Sequence, residues 1–421
     1  MEFLTSYNII IEASLIIILS FVFGEVARKT NIPSVLMLIA LGIGLKFVLD
    51  TITDQEINFD DILEVLGIVG LIMIVLEAAL ELKLERDKLI PILKALGIAL
   101  VGLLLSTWIA AMILQYFIDG MSTQTAWIYA TPLSILSSAI IIPSVVGLRQ
   151  DKKEFHVYES TFSDILGIML FYFLTGQIAE DAAEHSSNGV VGFFINVILT
   201  IVLSLVASYI IILIFQNIRS HTKLFLLIAV LLLLYAVGKL AHLSSLIIIL
   251  VFGLIIANMK LFFSGRLAKW LHIEKAKHIY EGLHVVTMET AFVVRTFFFV
   301  IFGLTISLES LASWNVVAIS ALIILSIYVI RYALLRTSVG RDSFPQTFIA
   351  PRGLITILLF DNIPDEVLVP GFEDGILLFI IIATSLIMTI AMVRDKQRTT
   401  EAVRKATGSP VVFEKWRAPK L

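Results

Sequence analysis

Thirteen apolar runs, each near the length needed to cross a bilayer, constrain this chain more than any other feature. A helix needs about 20 mostly apolar residues to span the hydrocarbon core. That window selects roughly residues 8–27, 33–49, 62–80, 91–117, 124–148, 157–178, 190–215, 223–241, 243–259, 283–307, 313–336, 344–361 and 371–393. With so many spans, and every backbone group needing a partner inside the membrane, the expected fold is all-α. Composition agrees: 58% of residues are hydrophobic and 15% charged, far from the balance of a water-soluble domain. The stretch Met1–Ile11 has no basic leader and no small-residue cleavage site, so it reads as the start of the first span. Cysteine is absent, which removes thiolate metal sites, and the net charge of −3 gives no footing for nucleic acid.

Basic residues favour the cytoplasmic side of short loops. With the N-terminus outside, 27 of the 31 Lys and Arg residues fall on inside segments. Only Lys46 and Lys239 lie outside, and Arg295 and Arg352 fall within spans. The outside loops are acidic, as in Asp50–Asp61, Glu180–Glu184 and Asp361–Asp374. A wrong span count would scramble this alternation. The expectation is a multi-pass protein of the plasma or inner membrane, N-terminus outside, with a short basic cytoplasmic tail over 394–421. The long inside loop Lys260–Glu281 contains a candidate interfacial helix from Arg266 to Ile273, anchored by Trp270.

Spans 1–6 and 8–13 form equal sets joined by an odd helix, which inverts one set relative to the other. Inverted repeats with helices broken at matching places mark secondary transporters. Span 5 carries Pro132 and Pro143 around Ser134, Ser137 and Ser138, and span 12 carries Ala350-Pro351-Arg352-Gly353. Ordinary kinks are the plainer alternative, but two breaks at equivalent positions favour the transporter.

Charges within the spans point the same way. An acid at bilayer depth costs roughly 2.5–3.5 kcal/mol on insertion scales and is functional by default. Asp164 lies about 12 Å along span 6, near the midplane. Glu159 lies nearer the cytoplasmic edge and is rotated from Asp164 by about 140° on a helix. The two acids therefore serve different purposes. Ser160 shares a face with Asp164, and Ser163 sits beside it. Arg331 reaches the depth of Glu159 from span 11 and suits it as an ion-pair partner; a snorkelling edge arginine is the alternative. Arg352 either caps carbonyls freed by the break or pairs with an acid. Glu289 is a candidate counter-ion for Arg352 or Arg295, and Glu77 reads as an interfacial acid. The seven histidines are scattered, and no nucleophile–base or metal cluster stands out, so neither an enzyme nor a resident cofactor is expected.

Glu159-Ser-Thr-Phe-Ser-Asp164 is similar to the Glu-Ser-x-x-Asn-Asp of the sixth helix in the monovalent cation:proton antiporter superfamily, of the sodium/proton exchanger type. Leu136–Pro143 resembles that family's unwound fifth helix, Arg295–Gly303 its tenth, Tyr328–Arg331 its eleventh, and Pro351-Arg352-Gly353 its twelfth. The resemblance implies core helices over about 91–178 and 313–393, moving like an elevator against interface helices over about 8–80 and 190–307 in a homodimer. It implies Asp164 as the shared ion and proton site, with Glu159–Arg331 as a structural pair. Ser163 stands where the family has Asn or Asp, and Ala139 and Ile140 align with its Thr-Asp, leaving Ser137 and Ser138 as substitutes. With one titratable acid in the motif, the expected exchange is one proton per cation, sodium first. The rivals are a potassium/proton antiporter of the same fold, a cation channel and a transport-inactive sensor.

Overall fold

The computed structural model describes residues 6–30, 33–52, 60–84, 88–181, 189–218, 223–240, 245–263, 272–305, 311, 313–338, 340 and 343–407. The described residues are helical or in short connections. The first half comprises α1 (Ser6–Thr30), α2 (Ser34–Ile52), α3 (Asp60–Glu81), α4 (Leu89–Phe117), α5 (Thr123–Ser134), α6 (Ser138–Ser144), α7 (Gln150–Asp181) and α8 (Gly189–Phe215). The second comprises α9 (Lys223–Leu240), α10 (Ser245–Ala257), the one-turn α11 (Met259–Phe262), α12 (Ile273–Thr305), α13 (Trp314–Ser338), α14 (Leu354–Phe360) and α15 (Gly375–Thr407). Each of the thirteen apolar windows is occupied by helix, so the protein is an all-α, multi-pass membrane protein.

Two helices outrun their windows. α12 starts at Ile273 and absorbs the end of the expected loop, and α15 runs through Arg394 to Thr407, where a tail was expected. Nothing in either sequence stops a helix: neither Ile273–Leu283 nor Arg394–Thr407 contains a proline. Of the expected interfacial helix, His272 is non-helical, and residues 266–271, including Trp270, lie outside the described residues.

Packing follows small residues. α2 and α12 approach so closely that a Cβ on Gly42 would lie 2.8 Å from the Cα of Gly303. A Cβ on Gly253 of α10 would lie 2.6 Å from that of Ala79 on α3. Small residues permit such approach in membranes, where lipid supplies no hydrophobic drive between helices. α12 also packs on α3, and α10 on α3, α8 and α9; separately, α4 packs on α5, α7 and α13, and α13 on α15.

Two windows are interrupted. Span 5 divides into α5 and α6 across residues 135–137. Pro132 lies in the last turn of α5 and Pro143 inside α6, and each removes one backbone donor. Span 12 has one turn of 3-10 helix at Gln346–Phe348, non-helical backbone over 349–353, and then α14. The two breaks meet: the Ser137 N–H donates to the Pro351 carbonyl at 2.9 Å. Gly353 permits the approach, since a Cβ there would lie 2.5 Å from Ser137 Oγ and 2.9 Å from Ile140 Cδ1.

Candidate functional site

Asp164 sits on α7 beside this crossing, only 2% exposed. Among the described residues, neither carboxylate oxygen has a hydrogen-bond partner. Ser138, the first residue of α6, is the polar group that acts on the carboxylate, through its hydroxyl and its backbone N–H, without the geometry of a full hydrogen bond. The cavity in front of Asp164 is walled by Ile74, Val75 and Ala78 of α3, Leu246 and Leu250 of α10, and Ile355 of α14. An isolated charge against such a wall is unstable unless something neutralises it. The hydroxyl of Ser138 is an oxygen donor of the kind that suits a hard cation.

The other serines are placed differently. Ser163 Oγ accepts the Leu136 N–H at 3.0 Å and so holds the unwound strand of span 5. Ser160 donates to the His156 carbonyl of its own helix at 2.7 Å. Ser137 contributes the backbone bond of the crossing. Ser138, rather than the aligned Ala139 or Ile140, faces Asp164.

Glu159 faces a second cavity, bounded by α4, α5 and α13 through Ile98, Leu103, Ser134, Ile327 and Ile330. It is 1% exposed and bound bidentately by Arg331, Nη1 to Oε1 at 2.9 Å and Nη2 to Oε2 at 2.8 Å. Such paired forks are the strong form of the interaction. Arg331 Nε donates onward to the Gln346 carbonyl at 3.2 Å. His156 Nδ1 lies 3.1 Å from Glu159 Oε2.

Arg352 is 1% exposed and takes the carbonyl-capping role. Its Nε donates to the Leu133 carbonyl at 2.8 Å, closing the last turn of α5, and Nη1 to Ala350 at 3.1 Å. Its own N–H donates to Thr384 Oγ1 on α15 at 3.1 Å. The cation thus rests on carbonyls that the two breaks leave free, and no acid is bonded to it among the described residues.

Arg295 joins a different acid from the one sequence offered. Nη2 donates to Glu77 Oε1 at 3.1 Å, tying α12 to α3. Glu77 is therefore paired within the helix bundle, in place of the interfacial role expected of it. Glu289 is exposed, about 120° around α12 from Arg295, and among the described residues it pairs with neither arginine. Sequence reasoning also passed over His156, Gln346 and Thr384. His156 had a signal, its position three residues before Glu159; the other two had none.

No curated protein matches the chain. Among solved structures, two of the sodium proton antiporter MjNhaP1 from Methanocaldococcus jannaschii resemble it. The first, at pH 8, has 18% identity and a TM-score of 0.66, over 95% of this chain and 99% of the other. The second, an electron-microscopy structure, has 19% identity and a TM-score of 0.65, over 98% and 100%. At this identity the likeness speaks for the fold. The family model described as sodium/hydrogen exchanger, transmembrane, matches residues 15–394. That range takes in both breaks, Asp164 and every charged residue described above, and the chain belongs to the sodium/hydrogen exchanger family.

Proposed function

We propose that Asp164 is the shared site at which one monovalent cation, sodium in the first instance, and one proton compete, and that the chain exchanges them electroneutrally across the cell membrane. The observation that carries this reading is the Asp164 carboxylate, enclosed beside two crossed helix breaks with neither oxygen bonded. Either ion neutralises it, and the bare charge is too costly to move through the bilayer. Ser138 and Ser137, with the remaining lone pairs of Ser160 and Ser163, supply oxygens around the cation. In this reading core helices over 91–178 and 313–393 carry the site against helices over 8–80 and 190–307, within a homodimer whose N-termini are outside. The crossing keeps Ser138 in register with Asp164, and Arg352 and the Glu159–Arg331 pair hold the crossing rigid.

Proteoliposomes bearing a pH-sensitive dye test this directly. Adding sodium, potassium or lithium in turn is expected to discharge an imposed proton gradient, most strongly for sodium, without dependence on membrane potential. Asp164→Asn is expected to abolish the signal; an Asp164→Asn protein that still exchanges cations overturns the site. Potassium preference would favour the rival that Ser137-Ser138-Ala139 suggests, since those residues resemble the Ser-Ser-Thr of potassium-linked relatives. Current in place of tight exchange would favour a channel.

A further inference from the structure

His156 lies one helical turn before Glu159 on α7, and its ring is fully enclosed. Its Nδ1 shares Glu159 Oε2 with Arg331 Nη2, while Oε1 takes Arg331 Nη1 alone. A carboxylate bound by a guanidinium only accepts, so the hydrogen of the imidazole bond is assigned to Nδ1. The other ring nitrogen, Nε2, is buried without a partner among the described residues. It has no acceptor to receive a second proton, and burying it bare costs desolvation with nothing returned. An apolar side chain would avoid that cost, so filling space does not account for a histidine here. The charged groups facing the ring are Glu159 and Lys152 on its own helix and Arg331 from α13.

What the Nδ1 bond supplies is orientation. Arg331 alone leaves the Glu159 carboxylate free to pivot with the guanidinium about their common axis. A third donor from a different direction fixes the plane of both. Arg331 Nε then aims at the Gln346 carbonyl, in the turn that leads into the second break. Four residues beyond that turn, Arg352 reaches across to Leu133 of the first break.

We propose that His156 is a positioning residue of the exchange cycle: its Nδ1–H fixes the Glu159–Arg331 plane, and through it the backbone on which the second break is built. Its side chain hydrogen-bonds to neither Asp164 nor the serines of the proposed cation site among the described residues; only its backbone carbonyl meets them, accepting from Ser160 Oγ at 2.7 Å. The proposal rests on the antiport reading, and two experiments separate the fates of the two.

The first measures sodium-driven exchange by the full-length chain in proteoliposomes. Asparagine places an amide N–H where Nδ1 stands, glutamine where Nε2 stands, and leucine places none. His156→Leu is expected to lower the maximal rate about tenfold or more, as remote misplacement does, with the KM for sodium within about twofold. His156→Asn is expected to return within about threefold of the unaltered rate, and His156→Gln to stay near leucine. Leucine at full rate, a KM change as large as the rate change, or asparagine no better than glutamine each overturns the proposal. The asparagine–glutamine comparison stands even where the leucine protein fails to fold.

The second labels the chain with 15N-histidine in lipid at pH 7.5. The resonance lost in His156→Asn is expected to be a neutral ring protonated at Nδ1. A ring protonated at Nε2, or at both nitrogens, overturns the proposal without reference to transport. Absence of any exchange by the unaltered chain overturns the antiport reading instead, and the tautomer then decides the placement of His156 alone.

Discussion

At the scale of single residues, the buried charges of this protein divide by whether they have partners. Glu159 and Arg331 satisfy one another, whereas Asp164 is left open. A buried pair gains little over a well-packed apolar pair, but removing one partner leaves the other charge stranded, at about 3–5 kcal/mol. Glu159→Gln is therefore expected to lower the thermal melting of the detergent-solubilised protein sharply, while Glu159→Leu with Arg331→Met recovers most of it. A double variant as unstable as Glu159→Gln would mean that the ion pair is irreplaceable, contrary to this account. The Glu159–Arg331 pairing was legible because helix direction and distance from the cytoplasmic edge put both residues at one depth. The Glu77–Arg295 pairing was not. Those residues are 218 apart in sequence, and Glu77, near the inner end of its span, read as an interfacial acid that needed no partner. Glu289 drew attention because it shares a span with Arg295, yet six residues of helix turn it to another face.

At the scale of elements, the two breaks matter more than the helices that carry them. Pro132, Pro143 and Pro351 announced both interruptions in the sequence. They did not reveal that the first would open at 135–137, between its prolines, or that Ser137 would bond across to Pro351. Such pairings join segments more than 200 residues apart and depend on how whole helices dock. Gly353 is the most sensitive position of the crossing, because Ser137 Oγ and Ile140 Cδ1 occupy the space a methyl group would need. The Ser137 hydroxyl is a small side chain held close to its backbone and has little room to withdraw. Gly353→Ala is expected to separate the breaks and move Ser138 away from Asp164. Sodium-driven exchange should fall at least about tenfold, as sub-ångström misplacement of a reacting geometry commonly costs. Gly97→Ala on α4 meets no atom within 4 Å and serves as the control. Exchange by Gly353→Ala equal to that control would show that the close approach is incidental.

At the scale of the whole molecule, the proposed exchange has the helices that carry Asp164 slide against the rest. In that proposal α14 would move and α3 would stay, and the two touch where a Cβ on Gly67 would lie 3.1 Å from Leu358 Cδ2. A disulfide needs Cβ atoms about 3.5–4.5 Å apart, and replacing Leu358 also removes the atom that crowds Gly67. The chain has no cysteine, so Gly67→Cys with Leu358→Cys introduces the only two thiols. Oxidation is expected to join α3 to α14 and arrest sodium-driven proton exchange, and a reductant should restore it. Each single-cysteine protein should exchange at the same rate under both conditions, since neither can form the bridge within one chain. A bridge that forms, verified by mass spectrometry of the linked peptides, yet leaves exchange unchanged would place α3 and α14 in one rigid body. The boundary between moving and stationary helices would then have to be drawn elsewhere. Asp164 would have to meet the two faces of the membrane through smaller rearrangements around the crossed breaks, with Arg352 and the Glu159–Arg331 pair moving with the site as one unit.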